Sequence, residues 1–213
     1  MFSLHKIVST FSLLMIASCG GKNPVTEAID AREKVDCGNG NITFVYKNPE
    51  RFFPEYVKDY DASVAMNQQL IKELGSISVS FKDSTVRMMN ELDQENARFR
   101  MSLKAAFVDM NMHPCSNEAE QNFRTLSTRL TDFNFRINEI NKDVAEAKVI
   151  LSTPDTKSLP DTIQPVVDDA KKSLGKDSVN IKAIKIYQQN QVLRNFGNTI
   201  NEMKLHNIRI KPR

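Results

Sequence analysis

One apolar stripe limits what this chain can fold into more than any other feature of its sequence. The stripe occupies the middle of the chain and holds alternate spacings of three and four residues. Its members are Phe123, Leu126, Leu130, Phe133, Ile137, Ile140, Val144, Ala147 and Leu151. Residues three and four apart lie on one face of an α-helix, and charged residues such as Arg129 and Glu139 occupy the other faces. The spacing therefore predicts a long, coiled-coil-like helix.

The start of this helix and its direction are also readable. Ser116 or Asn117 can cap the first turn, where Glu118 and Glu120 suit the positive end of the helix dipole. Pro114 ends the helix before it. Because the connection between the two helices is only a few residues long, we expect them to pack antiparallel.

A second stripe of apolar residues precedes the first. It starts near Val57 and continues, through a bend at Gly75, to Met110. An isolated glycine costs a helix only about 1 kcal/mol, so the pattern predicts a bent but continuous helix. Three methionines of this stretch (Met88, Met101 and Met110) are interpreted as adaptable core side chains.

The remainder of the chain adds two helices. Residues 152–165 contain three prolines and predict a surface loop. A short helix follows over residues 166–174, closed by Gly175, and a last helix runs from about Val179 to His206. With 7 Gly, 8 Pro and no Trp in 213 residues, the chain predicts an all-α fold. We expect residues 26–213 to form one domain, an elongated antiparallel bundle or coiled coil of three to four long helices.

A small β-ribbon is the one expected departure from helix. Ile42–Tyr46 is rich in β-branched and aromatic residues and lies between turn signals. Residues 207–211 also alternate in polarity, so they are the predicted partner strand. A short amphipathic helix is predicted over residues 26–35.

The first 18 residues have the layout of a secretory signal. His5 and Lys6 precede an apolar run over residues 7–16, and the small residues Ala17 and Ser18 follow. Ten apolar residues are too few to cross a bilayer, which takes about 20 in a helix. The segment therefore predicts export rather than a permanent membrane span.

Ile16, Ala17, Ser18 and Cys19 follow one another at the end of that run. They resemble the lipobox of bacterial lipoproteins. The resemblance implies cleavage before Cys19, diacylglycerol and an acyl chain such as palmitate on that residue, and a lipidated tether over residues 19–25. Gly20, in place of an aspartate, implies the outer membrane rather than the inner one. The alternative is an ordinary signal peptide in which Cys19 is incidental.

Two cysteines remain after processing. Cys37 and Cys115 both lie in turn-like sequences, and exported proteins are exposed to oxidising conditions. We expect a disulfide between them, with two unpaired thiols as the alternative.

No sequence motif of a catalytic, cofactor or metal site stands out, so we predict a protein that is not an enzyme and holds no cofactor or metal. His113 lies in a turn. Glu202 and His206 share a helix face, but one pair cannot complete a tetrahedral metal site, and an exposed ion pair is the favoured interpretation. Asp168 and Asp169 point about 100° apart on a helix and do not converge.

The charge pattern excludes one class of partner and suggests another. A formal net charge of +3 with alternating signs is not the dense basic patch of a nucleic-acid-binding protein. The basic C-terminal segment, with Arg209, Lys211 and Arg213, can contact an anionic lipid surface. A solvated helix face is the favoured interpretation.

Together these features predict a membrane-anchored lipoprotein of the cell envelope. Its helical domain would serve a structural role or bind a protein partner, including a second copy of itself. The alternative is a bundle that binds a lipid or a hydrophobic small molecule between its helices.

Overall fold

The structure, a computed structural model, describes residues 32–209, which form two short strands and six α-helices. The strands are β1 (Arg32–Asp36) and β2 (Ile42–Tyr46). The helices are α1 (Pro49–Tyr56), α2 (Lys58–Leu74), α3 (Val79–Met112), α4 (Asn117–Ser152), α5 (Gln164–Leu174) and α6 (Ile181–Arg209). A short 3-10 turn, Asp161–Ile163, precedes α5. The predicted all-α class with a small ribbon is confirmed at this level.

The ribbon pairs β1 with β2, not β2 with the C-terminal segment. Arg32 lies opposite Tyr46, and the register runs antiparallel to the pair of Asp36 and Ile42. The predicted pairing with residues 207–211 is wrong, since residues 207–209 belong to α6 and the rest lie outside the described residues. The predicted helix over residues 26–35 is wrong at residues 32–35.

A local turn explains why β2 pairs with β1 and not with the C-terminal segment. Gly38, Asn39 and Gly40 all adopt positive φ, the backbone region of tight hairpin turns. Closing this short loop loses far less chain entropy than pairing β2 with a segment more than 150 residues away.

The predicted continuous helix through Gly75 is also wrong, because the chain reverses direction there. Residues 75–78 form a turn, and α3 returns along α2. Asp61 on α2 binds Arg100 on α3, whereas Gln68, about two turns nearer the reversal, binds Asp93. Partners that converge toward the turn define an antiparallel pair.

The remaining long helices pack in alternating directions. Phe107 on α3 contacts Phe123 on α4, and Phe99 contacts Phe133, so α4 runs antiparallel to α3 as predicted. Ser116 caps α4 by accepting a hydrogen bond from the backbone N–H of Ala119. Contacts of α6 with both α3 and α4 complete the packing.

The apolar interior divides into two clusters of buried side chains. The larger lies between α2, α3, α4 and α6 and includes Phe99, Leu103, Ile137 and Phe196. The smaller joins the end of α4 to α5 and the start of α6. Its members are Ile150, Ile163, Val166, Ala170 and Ile184. Gly175 closes α5 in the left-handed conformation, as the sequence predicts.

Candidate interaction surface

Helix α3 is apolar on two opposite faces. One face carries buried residues such as Leu92 and Phe99 into the core. On the opposite side, solvent-facing apolar residues follow one another at spacings of four, four, three and four residues and form a stripe. We call it the α3 outer stripe, and it consists of Ala97, Met101, Ala105, Val108 and Met112. A helix that is apolar on both sides has a face that its own domain does not cover.

The exposure of this stripe is large. Met101 is 73% exposed and Met112 is 65% exposed, and Val108 is half-buried. A shallow hollow of about 510 Å³ lies over the C-terminal half of the stripe, with Glu50 and Lys104 on its rim. The interpretation of Met101 as core is therefore wrong, whereas Met88 packs against the core as predicted.

Charges of opposite sign border the α3 outer stripe. On one side the Nζ of Lys104 lies 3.3 Å from a carboxylate oxygen of Glu50. On the other side Asp109 lies 2.8 Å from Nδ1 of His113. All four side chains are about half exposed or more. Contacts this exposed contribute little to stability, so the charges of Lys104 and Asp109 stay available to a partner.

The β-ribbon is fixed at the same end of α3. A disulfide of 2.08 Å joins Cys37 in the ribbon turn to Cys115 in the α3–α4 connection, so the structure has the predicted bond. The side-chain Oδ1 of Asn111 accepts the backbone N–H of Tyr46 at 2.8 Å. Two independent links thus hold the ribbon against the end of the stripe.

Polar groups cross the interior between the helices. The amide of Asn141 on α4 donates to the Ser63 carbonyl at 2.9 Å, and it accepts from Asn67. The hydroxyl of Tyr60 donates to Asn96, and burial raises the pKa of Tyr60 well above its usual value. These hydrogen bonds tie α2 to α3 and α4 and fix helix register, while Oδ1 of Asn67 and Nδ2 of Asn96 have no hydrogen-bond partner within the fold.

His206 is half-buried and its ring points toward the core instead of forming an exposed pair. Its ring lies 5.6 Å from the ring of Phe99 and 5.8 Å from that of Phe133, measured between centroids. Burial lowers the pKa of His206, and the guanidinium groups of Arg129 and Arg209 lower it further. The predicted exposed pairing with Glu202 is wrong, because the imidazole turns inward.

Two carboxylates on α4 face α6. Asp143 hydrogen-bonds to Asn195, and Glu146 accepts from Gln188 at 3.4 Å. Burial raises the pKa of both carboxyl groups. Each is separately hydrogen-bonded to an amide, which is the arrangement of a helix contact. Among residues 32–209 no three His, Cys, Asp or Glu side chains are grouped so that they could hold a metal ion.

The other predicted site residues are spread over the fold. His113 lies in the α3–α4 connection, as predicted. Asp168 accepts from Gln164 on the exposed side of α5, and Asp169 is also exposed. Arg209 is exposed at the end of α6. Cys19, Lys211 and Arg213 lie outside the described residues.

Sequence reasoning missed the α3 outer stripe, although its signal was present. The spacing that identifies the stripe is the same spacing that identifies the core face. The stronger residues of the core face, such as Phe99 and Leu103, dominated the interpretation. Met101 was assigned to the core face with them, and only the reversal at Gly75 fixes which face of α3 is inside.

Comparison with known proteins gives no relative. No protein-family model, no curated protein and no solved structure matches this chain. Within the described part of the chain, each helix is too short or too polar to cross a bilayer.

Proposed function

We propose that this chain is a lipid-anchored protein of the cell envelope, of the outer membrane by preference, whose helical domain acts without catalysis. The lipobox-like residues ending at Cys19 support the anchor. The α3 outer stripe supports the second part, because a stripe with Met101 at 73% exposure costs free energy unless something covers it. The domain is an elongated antiparallel bundle that self-associates through this stripe.

The spacing of the stripe suits a parallel coiled coil with a second copy. Met101 and Val108 take the d positions of a heptad repeat, and Ala105 and Met112 take the a positions. Residues at these positions form the seam between two helices.

The charges beside the seam favour the same pairing. Lys104 then takes a g position and Asp109 the following e position. In a parallel pair, a g residue faces the e residue five places later on the partner. Lys104 of each copy therefore meets Asp109 of the other, and the pair occurs twice by symmetry.

Parallel pairing is also consistent with the anchor. It places both ribbons, and both N-terminal chains that lead to Cys19, at the same end of the dimer. Two copies attached to one membrane satisfy this geometry directly. A seam of about two heptads is weak in free solution, and tethering raises the effective concentration of the partner.

Sedimentation of the full chain in detergent and energy transfer in vesicles test self-association. We expect a dimer that Met101→Glu with Met112→Glu converts to monomer. Phe135→Glu is the matched control, since Phe135 is 66% exposed on α4, away from the stripe. Lys104→Glu should weaken the dimer, and adding Asp109→Lys should restore it. A wild-type monomer in both assays would contradict the proposal.

The anchor has its own test. The mass of the mature protein from envelope fractions should show a chain beginning at Cys19 with acyl groups attached. Cys19→Ser should release the protein from the membrane fraction or leave it uncut. A mature protein with unmodified Cys19 would contradict the anchor and leave the dimer test unaffected.

One observation favours ligand binding as a second candidate. A groove of about 330 Å³ between α3 and α6 lies over Gly197, and a Cβ added there would meet no atom within 4 Å. Met88 and Ile200 give it apolar walls, Arg87 and Lys204 give it cations, and Glu91 in the same lining pairs with Lys204 at 3.0 Å. An anionic amphiphile suits this lining. Native mass spectrometry of the purified chain should then show a bound small mass that Gly197→Leu displaces.

A further inference from the structure

The β-ribbon has one covered face and one open face. Val45 on β2 is 9% exposed and turns toward the helices. Side chains alternate between the two faces of a strand, so Phe44 and Ile42 point to the opposite face. Phe44 is 63% exposed and Ile42 is 49% exposed. A two-stranded ribbon that presents an aromatic and an aliphatic side chain to solvent has an apolar surface that its own fold leaves uncovered.

Cations stand directly beside these apolar residues. Lys34 on β1 lies opposite Phe44 on this face, and Arg32 lies opposite Tyr46, whose half-buried ring packs against Phe52 and Phe107 where the face meets the helices. The guanidinium of Arg32 lies over the Tyr46 ring at 4.9 Å and donates to its hydroxyl at 2.8 Å. The one acidic residue of this face, Asp36, points toward the hairpin turn, where its carboxylate accepts a hydrogen bond from the backbone N–H of Gly38 at 2.8 Å.

This set of side chains matches the chemistry of a membrane surface. Aromatic rings concentrate at the boundary between headgroups and acyl chains, and Lys and Arg pair with lipid phosphates while their stems stay in apolar surroundings. A water-soluble protein partner would also accept Phe44 and Ile42. The juxtaposed cations favour an anionic lipid surface.

The position of the ribbon in the chain favours the same occupant. Arg32 follows Cys19 by thirteen residues, a length that reaches at most about 45 Å when fully extended. An anchor at Cys19 therefore holds the ribbon near the bilayer. The disulfide to Cys115 fixes the ribbon to the end of α3, so a contact made by the ribbon orients the whole helical domain.

We propose that the open face of the β-ribbon is a membrane-contact surface, with Phe44 and Ile42 in the interfacial layer and Arg32 and Lys34 on anionic lipid phosphates. The proposal rests on the lipid anchor for proximity, and it adds a second, non-covalent contact. The bilayer then receives the ribbon end of the domain and leaves most of α3 and α4 in the aqueous phase. This end is distinct from the predicted contact through Arg209, which follows Asn207, a residue that hydrogen-bonds to Glu95 in the middle of α3.

A tryptophan probe tests this contact, because the chain has no Trp of its own. Phe44→Trp places a single fluorophore on the open face. Phe135→Trp is the matched control, with nearly equal exposure (66% against 63%) about 27 Å farther along the helices. Each full-length variant is reconstituted into phosphatidylcholine vesicles with and without phosphatidylglycerol, and emission is measured with brominated lipids as quenchers.

We expect the Phe44→Trp emission to shift to shorter wavelength and to be quenched by brominated lipid at least twofold more than that of Phe135→Trp. Lys34→Glu in the Phe44→Trp background should reduce the quenching in vesicles that contain phosphatidylglycerol. A shifted but unquenched emission would place Phe44 against protein and overturn the proposal. Equal quenching of both probes would also overturn it, since the ribbon would then hold no special position.

Flotation of the same vesicles separates this proposal from the anchor. Vesicles that carry the protein through acylated Cys19, while Phe44→Trp stays solvent-exposed, would overturn the ribbon contact and leave the anchor intact. Conversely, quenching of Phe44→Trp in a chain with unmodified Cys19 would support the ribbon contact and contradict the anchor.

Discussion

The side-chain amide of Asn67 on α2 donates to Oδ1 of Asn141 on α4 across 2.8 Å, and both residues are buried. Asn141 uses its own amide to reach the carbonyl of Ser63, one turn before Asn67. Buried amides must be paired to avoid a desolvation penalty, so a shift of α2 along α4 by one residue would leave both unsatisfied. This pair thus specifies the register of two parallel helices.

Breaking the pair from one side should cost more than removing it entirely. We expect Asn141→Leu to lower the free energy of unfolding by about 1–3 kcal/mol, because the Asn67 amide is then left buried without its acceptor. The double variant Asn67→Leu with Asn141→Leu should recover part of this loss. Urea unfolding of wild type, the two single variants (Asn67→Leu and Asn141→Leu) and the double variant gives the coupling energy. Simple additivity of the two single effects would contradict a specific pair.

The disulfide should contribute to stability in proportion to the loop that it closes. Cys37 and Cys115 are 78 residues apart in sequence. In the chain-entropy model, opening a loop of this size costs about 4 kcal/mol, less any strain released. We expect Cys37→Ser with Cys115→Ser to unfold at clearly lower urea concentration than wild type. A reductant should lower the midpoint of the wild type and leave that of the double variant unchanged.

Long-period patterns in the sequence were more informative than short ones. The α4 stripe from Phe123 to Leu151 predicted the helix, because nine periodic residues outweigh any local exception. The short connection before it predicted the antiparallel packing on α3, and of the two expected caps, Ser116 and Asn117, the structure uses Ser116. The segment around Gly75 failed for the opposite reason. One glycine is compatible with a bend or a reversal, and the tertiary contacts of Asp61 and Gln68 decide between them.

The candidate surfaces were less accessible to sequence reasoning. The outer stripe of α3 and the open face of the ribbon are defined by what the core leaves uncovered, and periodicity alone does not distinguish inside from outside. Phe44 read as a strand residue, and only the pairing of β1 with β2 shows that its face is exposed. Asn67, by contrast, is a polar residue within the apolar spacing of α2, a pattern that the sequence itself displays.

His206 should make the stability of the fold depend on pH. Its pKa in the folded protein lies below the ordinary value of 6.5, because burial and two nearby guanidinium groups disfavour the charged ring. Between this lowered pKa and pH 6.5, the folded state therefore binds fewer protons than the unfolded state. Its contribution is fully present above pH 6.5 and is lost as the pH falls through the lowered pKa.

Substitution of His206 by phenylalanine should remove this component while keeping the contacts with Phe99 and Phe133. We expect the free energy of unfolding of wild type to fall more steeply than that of His206→Phe below pH 6.5. Asp143 and Glu146 have raised pKa values, so their contributions have the opposite sign and cancel when the two curves are subtracted. Parallel curves for the two proteins would contradict a half-buried His206 with a lowered pKa.

Two glycines should respond to alanine in opposite directions. Gly175 has a φ of +61°, a region where a Cβ is strained, so Gly175→Ala should lower the free energy of unfolding by about 1 kcal/mol. Gly197 lies inside α6 with open space where its Cβ would point. Gly197→Ala should therefore raise the free energy of unfolding by about 0.5–1 kcal/mol, since alanine loses less backbone entropy in a helix.

Urea unfolding of the purified chain measures both changes under one set of conditions. A destabilised Gly197→Ala protein would contradict the open groove between α3 and α6, because only a close contact at that position penalises a methyl group. If instead the variant is stabilised but no longer retains a co-purifying small molecule, the glycine serves the groove rather than the helix. That result would favour the ligand-binding candidate, since a residue that weakens its own helix persists where an approaching molecule needs the space.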